Sequence, residues 1–369
     1  MTIKPVKVGV IGCGAISRAY FTGAQDYPIL EIVACADINP EAAQKAGETY
    51  GIAKVYTVDE LLADPEIELV LNLTIPQAHA AINRRILEAG KHGYCEKPFA
   101  LDREEGRAAL KLASEKGLRL GCAPDTVLGE GIQTCRDLID QGAIGDIIGA
   151  TAFCVGRGHE HWHPNPAFYY HVGGGPLFDM GPYYLTALIT LMGEATAVSA
   201  MNKTTFPERE ILTQPHQGTK VKVETPTHLS GNIRFANGAI ATTLFSFDVF
   251  GHHHLPIIEI FGTTGTLTVP DPNGFGGKVI LRKRDAKDQE EMAHTYTHGG
   301  KRSIGLADMA EAIRQNRPHR ASGELALHVL DIMQAFHESE REGRQIALST
   351  HCPKPEPLPK GEKPVGQMA

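Results

Sequence analysis

An apolar run that ends on glycine restricts this chain to a small set of folds. Val6 to Ile11 reads as a buried parallel strand, and Gly12-Cys13-Gly14-Ala15-Ile16-Ser17 turns it at once toward a helix. Gly12 permits the tight turn, and Gly14 lacks a side chain where a pyrophosphate would approach the backbone. Free N–H groups at the helix start, with the positive end of its dipole, favour phosphate charge. Ser17 stands where Gly or Ala is usual, so the helix–strand packing must admit a hydroxyl. The glycine motif alone is a weak signal, and its context strengthens it. Leu30 to Ala36 reads as a second strand with Asp37 at its end, near the spacing at which an acid meets the adenosine ribose. A carboxylate there accepts from ribose hydroxyls and repels a 2′-phosphate. Ile38-Asn39-Pro40 supplies no Lys or Arg to receive that phosphate, so NAD is expected over NADP. Asp37 can also be part of a turn in which Asn39 caps the next helix and Pro40 takes its first position. The two readings are compatible.

Strand and helix patterns continue to alternate to about residue 122. Glu68 to Thr74 reads as a strand, Ala78 to Ala89 as a helix ended by Gly90, and His92 to Cys95 as a short strand. Asp102 to Lys116 reads as a helix, with Asp102 and Glu105 spaced as a capping box and Gly117 as its stop. Leu118 to Cys122 closes the series. This alternation implies a doubly wound parallel sheet covered on both faces. The pattern then changes. Ile147 to Val155 reads as a strand and Asp179 to Met192 as a helix. Asn237-Gly238 joins His228–Phe235 to Ala239–Asp248, a strong hairpin signal. Ile257 to Phe261, Thr266 to Val269 and Lys278 to Arg282 continue the strands. The expected fold class is α/β, a Rossmann domain followed by an α+β domain with a large, mostly antiparallel open sheet. The expected domains are 1–124 and 125–350, with a Pro/Lys-rich tail over 351–369 that is extended or disordered. Two late helices, about Leu306–Gln315 and Glu324–Glu342, are expected to cover the antiparallel sheet.

A length of 369 residues is comfortable for two domains. The net charge of −7 argues against nucleic acid or an anionic membrane as the main partner. Seven cysteines without a CxxC pair, mostly in apolar stretches, read as reduced thiols. The first strand begins too early to leave room for a signal peptide, and no apolar run is long enough to span a membrane. Cytoplasm is the expected location.

Two further motifs carry chemistry. Glu96-Lys97-Pro98 follows a short strand at the carboxyl edge of the parallel sheet, where ligands of such folds bind. Lys97 is a candidate proton donor or acceptor, or a cation that polarises a substrate oxygen; a surface lysine before a proline is the plain alternative. Gly173-Gly174-Gly175-Pro176-Leu177-Phe178-Asp179-Met180-Gly181-Pro182-Tyr183 allows backbone to lie against a ligand. The helix is expected to begin at Asp179, which leaves Pro182 in its first turn. Asp179 and Tyr183 then share a face, and Asp179 serves either as a helix cap or in catalysis.

With these motifs in this order, the chain resembles the Gfo/Idh/MocA oxidoreductases, the family of glucose–fructose oxidoreductase and inositol 2-dehydrogenase. The resemblance rests on Gly12-x-Gly14, Asp37, Thr74-Ile75-Pro76 with His79, Gly90-Lys91-His92, Glu96-Lys97-Pro98 and the Gly173–Tyr183 segment, and spans roughly residues 4 to 350. It implies a Rossmann domain paired with an α/β domain whose open sheet forms a homodimer or homotetramer interface. It also implies hydride transfer between nicotinamide and a sugar, cyclitol or related carbon. Lys97 corresponds to the family's catalytic lysine and Asp179 to its acid. The family commonly has His four residues after that acid, where this chain has Tyr183, so the proton acceptor is left open. The resemblance places Pro76, His79 and Glu96 beside the nicotinamide; the other NAD contacts are expected from Gly12, Cys13, Gly14, Ala15, Ile16, Asp37, Thr74 and Lys97.

Oxidising a secondary alcohol removes a hydroxyl proton as hydride leaves the carbon. A nearby ammonium lowers a phenol's pKa from about 10, so Lys97 and Tyr183 can share this task while Asp179 positions substrate. Substrate contacts are expected from His161, Trp162 and His163, whose aromatic faces and imidazole donors suit a polyol, and from Asp125 and Thr126. No metal is expected at His252-His253-His254, because adjacent strand residues point to opposite faces. The expected function is NAD-dependent oxidation of a sugar, glycoside or cyclitol alcohol, C3 of a glucoside among the candidates. The alternatives are a glycosidase that uses NAD transiently and a non-catalytic sensor of NAD and sugar.

Overall fold

The computed structural model describes residues 4–251, 253–296 and 300–360. They fall into two compact units: one from Met1–Glu130, Tyr296–Leu327 and Pro355–Ala369, the other from Gly131–Thr295 and His328–Lys354.

The first unit is built on six strands: β1 (Val6–Ile11), β2 (Leu30–Ala36), β3 (Lys54–Tyr56), β4 (Leu69–Asn72), β5 (His92–Cys95) and β6 (Leu120–Cys122). Their order is β3-β2-β1-β4-β5-β6, with every neighbouring pair parallel. Chain direction across the sheet reverses between β1 and β4, the point at which doubly wound sheets bind ligands beyond their carboxyl ends. The strands lack polar alternation because helices cover both faces; Val8, Val10, Leu69, Val70 and Leu71 are fully buried. The helices are α1 (Ser17–Ala24), α2 (Pro40–Tyr50), α3 (Val58–Ala63), α4 (His79–Glu88) and α5 (Arg103–Glu115). Asn39 caps α2 by accepting from Glu41 N–H, with Pro40 at its first position, and Asp102 caps α5 by accepting from Glu104 and Glu105 N–H. Both caps were legible. The short β3 and α3 were not.

The second unit opens within α6 (Glu130–Asp140), at Gly131. Its sheet contains β7 (Ile147–Val155), β8 (Ala195–Lys203), β11 (His228–Phe235), β12 (Ile240–Ser246), β13 (Ile258–Gly262), β14 (Gly265–Val269), β15 (Val279–Lys283), β16 (Glu290–Met292) and β17 (Ile346–Ala347). The order is β16-β15-β14-β13-β7-β12-β11-β8-β17, antiparallel except for the parallel β7–β12 pair. A two-stranded ribbon, β9 (Glu208–Glu210) with β10 (Lys220–Lys222), lies outside it. The β11–β12 hairpin turns at Asn237-Gly238 as expected, with Gly238 at φ +87°. α7 (Gly175–Met192) and α9 (Gly323–Glu342) pack on one sheet face, where the Phe245 ring meets Tyr184 and Phe336. The opposite face leaves Met201 77% and Ile240 49% exposed.

One expectation is corrected. α8 (Ile304–Gln315) belongs to the first unit, beside β6 and α1, so only α9 of the two late helices packs on the antiparallel sheet. Residues 351–360 carry no regular structure, yet they are held: Leu358 is buried and its carbonyl accepts from the Tyr296 hydroxyl at 3.1 Å.

Candidate active site

In the first unit the turn after β1 has the conformation its glycines imply. Gly12 sits at φ +103°, and a Cβ there would lie 2.6 Å from the Leu73 carbonyl. Gly14 differs: a Cβ there would meet no protein atom within 4 Å. The protein does not need glycine at 14, whereas a phosphate bound against the loop would. Asp37 Oδ2 accepts from Cys13 N–H at 2.7 Å and its Oδ1 from Asn39 N–H at 2.8 Å. The acid therefore both braces the loop and shapes its own turn. The buried Ser17 hydroxyl donates to Gly14 O at 2.7 Å, which is how the packing admits it. Ala15 and Ile16 complete the turn into α1, and no side chain caps that helix. These features fit a dinucleotide.

The ends of β4 and β5 are tied together. Thr74 N–H and Oγ1 both donate to Asn72 Oδ1, and Pro76 opens the short helical turn that leads into α4. His79 is 1% exposed, with Nδ1 2.6 Å from Pro98 O and Nε2 2.9 Å from Thr74 O. Two carbonyls facing one ring call for a hydrogen on each nitrogen. Burial works against the charge, but Cys95 and the two carbonyls outweigh it and raise the His79 pKa to about 9. His79 thus clamps two loops from within. Glu96 is buried; its Oε1 accepts from the Tyr20 hydroxyl at 2.7 Å and its Oε2 from Lys97 N–H at 2.9 Å. Burial and the Glu96 and Asp125 charges hold the Tyr20 phenol well above its usual range, so it stays a donor. This chain of bonds fixes the Lys97 backbone at the carboxyl edge of β5. Asp125 is fully enclosed, accepting from Arg302 at 3.1 Å and from Gly305 N–H at 3.3 Å. Thr126 is equally enclosed, and its Oγ1 is a buried polar atom with no partner among the described residues.

In the second unit α7 begins at Gly175, four residues earlier than expected. Asp179 is therefore not a helix cap, and Pro182 lies inside the helix, where it removes the N–H that would bond Phe178 O. Asp179 and Tyr183 still share a face. Tyr183 is 5% exposed. The glycine before the helix serves the protein itself: a Cβ on Gly174 would lie 2.6 Å from the carbonyls of Phe168 and Tyr169. Asp179 Oδ2 is 3.2 Å from His159 Nε2, with the two side chains 13% and 14% exposed. His159 stacks on Tyr169 at 3.8 Å between ring centroids and meets Phe247 edge-on at 4.7 Å. His161 is half-buried, and its burial with the nearby Arg157 lowers its pKa. His163 Nδ1 accepts from Asn165 N–H at 3.1 Å, while Trp162 is 56% exposed.

Sequence reasoning missed two groups here. One is the His159–Asp179 pair, whose members lie twenty residues apart with no periodicity joining them. The other is Arg209, 5% exposed, which donates to Glu160 and Asp248, each at 2.7 Å, and to Phe247 O at 2.6 Å. Glu160 also accepts from the Tyr170 hydroxyl. His252 lies outside the described residues, and His253 and His254 are exposed. Among the described residues no three His, Cys, Asp or Glu side chains gather as a metal site requires. No described helix is long and apolar enough to cross a membrane.

A 3-2-1-4-5-6 parallel sheet, a glycine turn and an acid after β2 define an NAD-binding protein of the Rossmann class. Comparison with known proteins agrees. Residues 6–123 match the family model described as "Oxidoreductase family, NAD-binding Rossmann fold", and residues 132–268 match the "GFO/IDH/MocA C-terminal domain". D-glucoside 3-dehydrogenase of Escherichia coli is 30% identical over 67% of this chain and 72% of its own length. Levoglucosan dehydrogenase of Pseudarthrobacter phenanthrenivorans is 28% identical over 72% and 73%. A solved levoglucosan dehydrogenase in complex with NADH and L-sorbose superposes with TM-score 0.81 at 23% identity, covering 94% of this chain and all of that one. The chain belongs to the Gfo/Idh/MocA family of NAD-binding oxidoreductases.

Proposed function

We propose that the protein is an NAD-dependent dehydrogenase of a secondary alcohol on a neutral sugar, glycoside or cyclitol, with C3 of a glucoside the leading candidate. The observation that carries this reading is the Tyr20–Glu96–Lys97 chain, in which a buried carboxylate fixes the backbone of one lysine at the carboxyl edge of the parallel sheet. Relatives that act on levoglucosan and D-glucosides support the neutral polyol.

NAD is held by the Gly12–Ile16 turn and Asp37, with Thr74, Pro76, His79 and Glu96 shaping the loops on the nicotinamide side. When bound, it supplies the hydride acceptor. The chain's own residues manage the proton: the Tyr183 phenolate takes it from the alcohol oxygen, the Lys97 ammonium stabilises that phenolate, and Asp179 orients the hydroxyl. His161, Trp162 and His163 offer faces and donors to the ring, and Asp125 and Thr126 complete the proposed substrate set. The uncovered sheet face with Met201 and Ile240 supports a homodimer or homotetramer, and seven free cysteines support a cytoplasmic location.

An absorbance screen at 340 nm with NAD and a panel of polyols tests the reading. It predicts NADH formation that tracks alcohol consumed. Glycoside hydrolysis without net NADH, or binding without turnover, would replace it by a glycosidase or a sensor.

A further inference from the structure

The aromatic segment before α7 builds something more specific than a sugar-facing surface. His159 is fixed from every side. Its ring stacks on Tyr169 and meets Phe247 edge-on. Its backbone N–H donates to the Tyr170 hydroxyl at 3.3 Å, and its carbonyl accepts from Trp162 and His163 N–H at 3.2 and 2.9 Å. The next residue, Glu160, is pinned by the buried Arg209 at 2.7 Å. An imidazole so over-determined presents one nitrogen to one partner, Asp179 Oδ2, at 3.2 Å.

The other nitrogen decides which hydrogen the ring carries. Nδ1 is buried with no hydrogen-bond partner among the described residues. A hydrogen there would be an enclosed donor without an acceptor, while the bond to Asp179 would lose its donor. The tautomer with hydrogen on Nε2 avoids both costs.

We propose that His159 is a positioning residue for Asp179, donating Nε2–H to Oδ2 so that the carboxylate is held in one rotamer for the substrate hydroxyl. The proposal rests on the reading of Asp179 as a substrate-orienting acid. His159 has no hydrogen bond to spare for substrate, because Nε2 faces Asp179 and Nδ1 is enclosed. Arg209 acts one step further back, by holding the side chain of Glu160, the residue next to the ring.

Two substitutions separate this role from packing. His159→Phe keeps the ring stack and removes the donor; His159→Gln loses the ring and keeps an amide N–H at the reach of Nε2. The proposal expects kcat/KM to fall by about 10- to 100-fold in the Phe variant, mostly in kcat, and to recover to within about fivefold of wild type in the Gln variant. In an Asp179→Ala background the Phe substitution should cost little more, since the carboxylate that His159 positions is already gone. Wild-type activity in the Phe variant, a Gln variant no better than Phe, or independent losses in the double variant would each overturn it. Should the Phe variant fail to fold, nitrogen-15 NMR of the wild-type protein decides. Protonated Nε2 with bare Nδ1 is expected, and hydrogen on Nδ1 alone contradicts the proposal. That spectrum needs no substrate, so it stands apart from the choice of polyol.

Discussion

In the first unit the side chains given to the cofactor sit at strand ends and bind mainly backbone groups. Asp37 reaches Cys13 across a neighbouring parallel strand, and Glu96 binds the backbone of the very next residue. In the second unit the corresponding groups are clasped side chain to side chain: His159 with Asp179, Arg209 with Glu160 and with Asp248. The first arrangement is dictated by backbone geometry and survives loss of a single side chain. The second depends on buried charges and stacked rings, each supporting the next. Substitutions in the first unit should therefore alter binding and chemistry without unfolding, whereas those in the second should alter stability as well.

The largest expected effect sharpens this contrast. Lys97→Ala should lower turnover by about 10²- to 10⁴-fold while leaving NADH affinity within about threefold, as read by fluorescence titration. Near-wild-type turnover would remove the lysine from the mechanism. Arg209→Met tests the second unit. It strands Glu160 and Asp248 as buried carboxylates, and the expected loss is about 3–5 kcal/mol of stability, measured by urea denaturation. A loss below about 1 kcal/mol, the range of exposed pairs, would contradict the clasp.

Smaller effects follow in the first unit. Asp37→Ala should weaken NAD binding by about 10- to 100-fold and narrow the preference over NADP; an unchanged NAD:NADP ratio would remove the acid from the ribose. Gly14→Ala should leave the melting temperature unchanged, since the added methyl meets no protein atom within 4 Å, yet weaken dinucleotide binding. A destabilised apoprotein would mean that the loop, not the ligand, needs the glycine. The smallest effect concerns pH. His79 is raised from 6.5 to about 9 in the fold, so its contribution to stability is complete below 6.5 and lost as pH rises through 9. Wild type should lose more melting temperature than His79→Gln between pH 7 and pH 10, and equal losses would refute the clamp.

The same contrast explains what the sequence could disclose. The parallel sheet was readable because each of its longer strands is an apolar run closed by glycine, proline or an acid, and because Asn39-Pro40 and Asp102 announce their helices. The triple glycine was readable as a motif but not as a shape. Its role is to let Gly174 pass the carbonyls of Phe168 and Tyr169, and α7 starts before Asp179 because of it. His79 was legible as a residue near the nicotinamide, yet its two carbonyl partners, nineteen and five residues away, required the fold. The placement of α8 in the first unit was illegible for the same reason: amphipathic periodicity names a buried face but not the sheet it meets.

Hydride transfer itself can be observed. With the best polyol of the panel carrying deuterium at the oxidised carbon, mass spectrometry of the reduced cofactor should show one deuterium gained per alcohol consumed. Reduced cofactor without deuterium, or product released while the cofactor stays oxidised, would contradict the dehydrogenase.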